Sequence, residues 1–338
     1  MFREPGSMFG TFLITVVVLL ATDAMADPWS KTLAASGKSV VVIETRSGSV
    51  EVIGWEKAEI EITSDGVKEP AVRVEGDTVT IGTSASEMAA RGKEMAAKAR
   101  EIASKAREIA EKAREQAAQN PGAEVDVGNL GADLGSFQWA DDDLTVHVPR
   151  SASVAVVSIS GDVGLSGVDG KVRLKSVSGK VRVEACAGPV KVNAVSGDVR
   201  VTAVRGELEA KSVSGDVVIE NIQGELLEAK TVSGSLRLDG MKAERLRLKS
   251  HSGDIRFEGV LTAGGSLEAK TFSGDVDICL PRASAFDLRA KSRSGDVEIG
   301  FEFEANQQSE HEARGRAGGG GAALELSSFS GDLSVQPE

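Results

Sequence analysis

A chain of 338 residues with 41% apolar and 27% charged side chains has a globular composition, enough for one large domain or two small ones. A formal net charge of −12 argues against nucleic acid as a partner. Aromatics make up only 4% and tyrosine is absent, while glycine reaches 38 residues, which fits a thin core of stacked Val and Leu rather than a thick one.

Residues 1–26 read as a secretory signal peptide. Arg3 gives a positive start, Phe12 to Ala21 is a short apolar run, and Ala24-Met25-Ala26 supplies small residues for cleavage. The run is too short to span a bilayer comfortably. No Cys at the cleavage site points to a lipid anchor. The alternative is an uncleaved anchor. The processed chain is expected to be exported, periplasmic or at the cell surface, and not integral to a membrane.

Residues 27–85 read as irregular N-terminal β coils that also form a cap. Ser39 to Ile43, Ser49 to Ile53 and Glu59 to Thr63 are strand-like, and Ala71 to Glu75 with Thr78 to Ile81 reads as a hairpin turning at Gly76-Asp77. A cap is expected because a bare end would expose strand edges.

Residues 86–120 break the β pattern. Lys-Ala-Arg-Glu recurs every seven residues from Lys98, Lys105 and Lys112, alanine is frequent, and Glu94 with Lys98 and Glu101 with Lys105 sit at favourable i,i+4 spacing. This predicts one long inserted amphipathic α-helix, about 45–50 Å long, ended by Asn120-Pro121-Gly122. Its narrow stripe suits either packing in cis or pairing with a second copy as a coiled coil, so self-association through 86–118 is one expectation. Residues 121–157 follow as a loop and return strands.

The stretch 158–338 carries the main signal. A Ser-Gly-Asp phrase returns at Gly161, Gly179, Gly197 and Gly215 every 18 residues, then at Gly234, Gly253, Gly274, Gly295 and Gly331, with a Gly-rich excursion at 302–323 before the last copy. A fixed period of this length marks stacked repeats. Between phrases, apolar and polar residues alternate, as in strands. Gly170, Gly188, Gly206 and Gly224 mark a half-period, so a lap holds two strands and two corners. The phrase glycines either bend the chain or leave room for a close approach. Stacking predicts inward columns Val177–Val195–Val213–Val232 and Val181–Val199–Val217–Leu236. The expected fold class is all-β: a single-stranded parallel β-solenoid of about 18-residue coils, with one long inserted α-helix near the N-terminal part.

No catalytic and no cofactor-binding residues emerge. His147, His251 and His311 lie in different elements, and no nucleophile elbow, phosphate loop or dinucleotide fingerprint occurs. Cys186 and Cys279 fall some five laps apart, too far for a disulfide, and read as buried thiols. Asp198, Asp216, Asp254, Asp275 and Asp296, with Asp162, form one column. Its main reading is turn chemistry; the alternative is a calcium column. A parallel column of Lys175, Lys211, Lys230, Lys249, Lys270 and Lys291 would offset repulsion within the Asp column. Arg173, Arg182, Lys191, Arg200, Arg237, Arg247 and Arg256 read as a basic surface strip, either a solvated face that blocks sheet-to-sheet association or a docking strip for anionic glycan or lipid head groups.

The K-[ST]-x-S-G-D-[VIL] phrases at Lys211 to Val217, Lys230 to Leu236, Lys270 to Val276 and Lys291 to Val297 resemble a bacterial family of exported repeat domains, a domain of unknown function labelled "putative adhesin". The resemblance covers roughly 38–338 and departs at 86–118. It implies a β-solenoid on the outer side of a membrane and no catalytic residues. The expected function is a non-enzymatic exported protein presenting a binding, adhesion or scaffolding surface, with an envelope glycan or protein as partner. The alternatives are an envelope polysaccharide-active β-helix enzyme, whose site would gather carboxylates near Trp55 or Trp139, and an oligomeric structural assembly through the 86–118 helix.

Overall fold

A computed structural model describes residues 29–36, 39–65, 70–82 and 143–338. The segment read as a signal peptide (1–26) and the segment read as a helix (86–120) lie outside the described residues, as does most of the loop that follows. The described residues hold 25 strands in one hydrogen-bonded sheet.

Alternation of apolar and polar side chains dictates the local geometry. In Val172–Ser178, Val172 and Leu174 are buried while Arg173 and Lys175 face solvent. A strand with one apolar face has to bury it against another, and here it does so within the same lap. A first wall runs through Ser153–Ser160, Val172–Ser178, Val190–Ser196 and Leu208–Lys211. A second wall runs through Val163–Ser166, Val181–Glu184, Val199–Thr202 and Val217–Glu220. Within each wall these strands are parallel and offset by one repeat, so Val181 lies opposite Val199, Val199 opposite Val217, and Val217 opposite Leu236. The core is the file of Val, Leu and Ile between the walls. Leu236–Lys249 and Ile255–Lys270 run unbroken round the far corner, with register shifts between Leu238 and Met241 and between Ala243 and Arg245. These two strands join the walls into a single sheet.

The expected class, a single-stranded parallel β-solenoid with one long inserted helix, is corrected by the described residues, which are all-β. No helix occurs among the described residues. The pairing is also not parallel throughout. At the N-terminal end Glu59–Ser64 is antiparallel to both Trp29–Ala34 and Leu144–Pro149, and Val72–Glu75 is antiparallel to Thr78–Ile81. At the other end Glu312–Ala317 is antiparallel to both Phe286–Ser294 and Phe303–Gln308. Val72–Glu75 with Thr78–Ile81, read from the sequence as a hairpin, and Phe303–Gln308 with Glu312–Ala317 are joined by short connections, which dictate antiparallel pairing, whereas parallel pairing needs a full lap between strands. The sheet therefore stops with hairpins at its ends.

The order of laps also departs from the order of the chain. Ala322–Ser330 and Leu333–Pro337 lie between the lap of Ile255–Lys270 and Val276–Leu280 and the lap of Phe286–Ser294 and Val297–Ile299. At the N-terminal end, Thr78–Ile81 and Leu144–Pro149 supply the two walls of one lap beside Val40–Thr45 and Val50–Trp55. Gly82 lies beside Glu44 and Asp143 beside Ser49, at the same corner of that lap.

The column Val177–Val195–Val213–Val232 does not face inward. Val177, Val195 and Val213 are half-buried and Val232 is 40% exposed. The inward place belongs to the preceding residue, Ser176, Ala194, Ser212 and Thr231, all buried.

Candidate binding face

Each letter of the repeated phrase has a separate physical task at the corner between the walls. From Thr231 onward the Ser or Thr hydroxyl donates to the glycine carbonyl of a neighbouring lap, whereas Ser158 and Ser176 bond carbonyls of their own lap. Thr271 Oγ1 donates to Gly253 O at 3.3 Å, Ser328 Oγ to Gly274 O at 3.2 Å and Ser292 Oγ to Gly331 O at 2.9 Å. The glycine adopts a positive φ, as in Gly215 at 132°, and a Cβ there would fall 2.3 Å from the Gly197 carbonyl oxygen. Bend and close approach therefore both apply, and the approach is to the neighbouring lap rather than the opposite wall. The Asp carboxylate accepts the backbone N–H at the equivalent place on the next lap. Ser235 N donates to Asp216 Oδ1 at 2.8 Å, Asp275 N to Asp254 Oδ1 at 3.0 Å, and Asp296 N to Asp332 Oδ1 at 2.8 Å. Asp143 fills the same role beside Ser49, at 2.7 Å. The Asp column, including Asp198 under Asp216, is thus a ladder of carboxylates clamping lap to lap. No group of three or more His, Cys, Asp or Glu among the described residues is placed to hold a metal ion.

The Lys column faces outward on the first wall, and its partners are glutamates rather than the Asp column. Glu209 sits between Lys191, at 2.5 Å, and Lys211. Glu228 sits between Lys230 and Lys211, and Glu268 between Lys249, at 3.2 Å, and Lys270, at 2.9 Å. Lys270 also reaches Glu325 at 3.0 Å. Partial burial pushes the Glu209 carboxyl up, but hydrogen bonds from Lys191 and Lys211 together outweigh it and hold it below the ordinary carboxylate range. The Lys230 hydrogen bond lowers Glu228 against the opposing effect of burial, and Lys270 does the same for Glu268. Glu268 and Glu325 in turn raise the Lys270 ammonium. Sequence reasoning missed these glutamates. The signal was present in the recurring Leu-Glu-Ala-Lys of Leu208–Lys211, Leu227 to Lys230 and Leu267 to Lys270, because residues two apart on a strand share a face.

The structure divides the basic strip between two surfaces. Arg173, Lys191 and Arg247 lie in one outward column of the first wall, beside the Lys column. Arg182, Arg200, Arg237 and Arg256 lie in an outward column of the second wall. Arg182 approaches Asp162 at 3.9 Å and Arg200 approaches Glu220 at 3.4 Å. On the first wall the cations Arg173, Lys175, Lys191, Lys211, Lys230, Arg247, Lys249, Lys270, Arg289, Lys291, Arg314 and Arg316 stand against Glu44, Glu209, Glu228, Glu268, Asp287, Glu312 and Glu325. That wall is therefore a basic face on an acidic chain.

Other candidate sites hold less chemistry. A groove of about 400 Å³ at the far corner is lined by Arg150, Asp169, Arg205, Asn221 and Gln223. Its carboxylate, Asp169, is held by Arg150 through two hydrogen bonds of 3.0 and 3.1 Å, an arrangement that raises Arg150. Trp55 stacks on His147 with ring centroids 4.9 Å apart, and Lys57 lies 4.4 Å over its ring; Trp139 lies outside the described residues. Both cysteines are free, Cys186 buried and Cys279 half-buried, and burial raises both thiols.

Two solved structures are similar in outline. One, a "putative cell adhesion protein" from Clostridium sporogenes ATCC 15579, is 7% identical with a TM-score of 0.18, covering 92% of this chain and 100% of that one. The other, a "putative lipid binding protein" from Parabacteroides distasonis ATCC 8503, is 12% identical with a TM-score of 0.31, covering 92% and 94%. Likeness at this level bears on neither ligand nor activity. No curated protein matches the chain. The Toastrack DUF4097 pattern, by contrast, matches residues 36–336, nearly all of the sequence, and the chain belongs to that family.

Proposed function

We propose that this is a non-enzymatic, exported binding protein of the bacterial cell envelope, and that its first wall receives an anionic polymer. The observation that carries the reading is the excess of outward cations on that wall, on a chain whose formal net charge is −12. A surface that concentrates one sign of charge draws polyions of the other sign. The cations recur at the strand spacing of about 4.8 Å. The Lys–Glu ladder holds them in place, so little side-chain entropy is left to lose on binding. A single exposed ion pair contributes roughly 0–1 kcal/mol, so affinity rests on many contacts along a chain-like ligand.

The test is binding of the purified protein to immobilised polygalacturonate, with neutral dextran as control. We expect binding that falls steeply with salt, is absent on dextran, and is lost in Lys191→Glu with Arg247→Glu. The second-wall pair Arg200→Glu with Arg237→Glu should retain it. No binding to the polyanion, or equal loss from both pairs, defeats the reading.

A further inference from the structure

The first wall ends at the phrase corner in a feature that polymer binding does not use. The residue between the buried hydroxyl and the phrase serine points outward on every lap. It is apolar at Ile159, Val177, Val195, Val213 and Val232, and Val232 is 40% exposed. Three rings then continue the file. His251 stacks on Phe272 with centroids 5.1 Å apart, and Phe272 on Phe329 at 4.7 Å, with Phe329 39% exposed. The rings present their faces to one another along the stack and their edges to solvent, so they offer no flat platform to a sugar ring. Bridges between successive phrase serines keep the file in register.

The flanks of this stripe are charged and opposite in sign. On one side run Lys211, Lys249 and Lys270; on the other, lap for lap, run Asp216, Asp254 and Asp275, whose Oδ2 atoms are left over once Oδ1 has taken a backbone N–H, while Lys175 has Lys180 across the stripe and Lys230 has Ser235. A second copy placed edge to edge, related by a twofold axis along the stripe, sets apolar file on apolar file. The same operation sets each Lys column across from the other copy's Asp column. The antiparallel alternative would face Lys with Lys. The stripe from Ile159 to Phe329 is about 34 Å long at one strand spacing per lap, and Lys to Asp spans about 17 Å. Because the chain turns at the phrase glycine between the two columns, the area is at most about 600 Å² per copy, below the roughly 800 Å² per partner of a standard stable interface, as in a concentration-dependent dimer. We infer that the apolar edge between the Lys and Asp columns is a self-docking surface, on which two copies of this chain associate in parallel about a twofold axis. The Lys column is shared with the polymer reading, but the two tests are separate: that reading is tested at Lys191 and Arg247, in the other column of the wall, and this one at Val213 and Val232.

The test uses the purified protein in a concentration series read by light scattering after gel filtration. We expect a dimer that Val213→Asp with Val232→Asp converts to monomer with an unchanged far-ultraviolet circular dichroism spectrum. A twofold axis along the stripe also places residue 213 opposite residue 213 of the other copy. Val213→Cys should therefore form a disulfide-linked dimer under mild oxidation, while Arg237→Cys on the second wall should not. This second readout does not depend on the Asp variants folding. A wild-type monomer at every concentration overturns the inference and leaves another protein or a lipid surface as the occupant. A dimer that survives the Asp pair, or crosslinking equal at 213 and 237, overturns it as well.

Discussion

At the scale of single residues, the phrase corner makes sharply graded predictions. Gly215→Ala introduces a Cβ 2.3 Å from a backbone oxygen that belongs to a packed lap and cannot swing away, at a φ of 132° that L side chains seldom adopt. The cost is expected to be at least about 3 kcal/mol. Gly76→Ala makes the contrast, because its φ of 58° is strained but nothing lies within 4 Å of the added carbon; about 1 kcal/mol is expected there. Urea titration of the two variants measures the gap, and equal costs would refute the close-approach argument. Ser212 and Ser292 form a second pair. Ser292 Oγ is bonded to Gly331 O, while Ser212 Oγ is buried without a hydrogen-bond partner among the described residues. Removing a satisfied hydroxyl costs about 1 kcal/mol, whereas removing an unsatisfied one is neutral or stabilising. Ser292→Ala should therefore lower the urea midpoint and Ser212→Ala should hold or raise it. These positions also show where alternation misleads. Counting apolar residues outward from Val181 puts Val177 inside and Ser176 outside. The fold does the reverse, Ala194 included, because the phrase glycine between the two strands turns the chain at a positive φ and the alternation does not carry across the corner.

At the scale of the strand, the Lys–Glu ladder ties stability to pH. Glu209, Glu228 and Glu268 have folded-state pKa values below their unfolded values. Their contribution is complete above the ordinary glutamate value, about 4.3, and is lost as pH falls through the depressed folded values. The melting temperature should therefore hold steady down to about pH 5 and then fall. Glu228→Gln should flatten that fall and, at neutral pH, cost only about 0.5 kcal/mol because the pair is near the surface. An identical acid slope in wild type and variant would show that the ladder contributes nothing. The repeat length was legible at this scale, since the 18-residue spacing of the phrases is also the offset of Val181 from Val199. The ladder partners were hidden because like residues were grouped by type. From the sequence Lys211 reads against the Asp column, but the carboxylates on its own face are Glu209 and Glu228.

At the scale of the whole molecule, the C-terminal strands bear directly on how the sheet holds together. Spacing along the chain reveals that a lap exists but not which neighbours it joins, and so the last phrase, at Gly331, reads only as the final lap. In the fold it is interior. Leu324 pairs with Leu267 on one side and Leu288 on the other, and Leu333 pairs with Val276 and Val297. In a wound sheet each lap is stabilised chiefly by its immediate neighbours, so removing an interior lap unsupports everything beyond it. Deleting 322–338 leaves Phe286–Ser294, Val297–Ile299 and the hairpin of Phe303–Gln308 and Glu312–Ala317 without their link to Ile255–Lys270. It also uncovers the Phe272 ring. Deleting 29–34 removes Trp29–Ala34, which among the described residues pairs on one side only, with Glu59–Ser64. The denaturant m-value follows the surface exposed on unfolding. The 322–338 deletion should therefore lower both m and the midpoint substantially, and the 29–34 deletion should lower the midpoint slightly with m nearly unchanged. If the two deletions behave alike in urea, the C-terminal lap is not interior, and the strand order that distinguishes this sheet from a sequential stack is wrong.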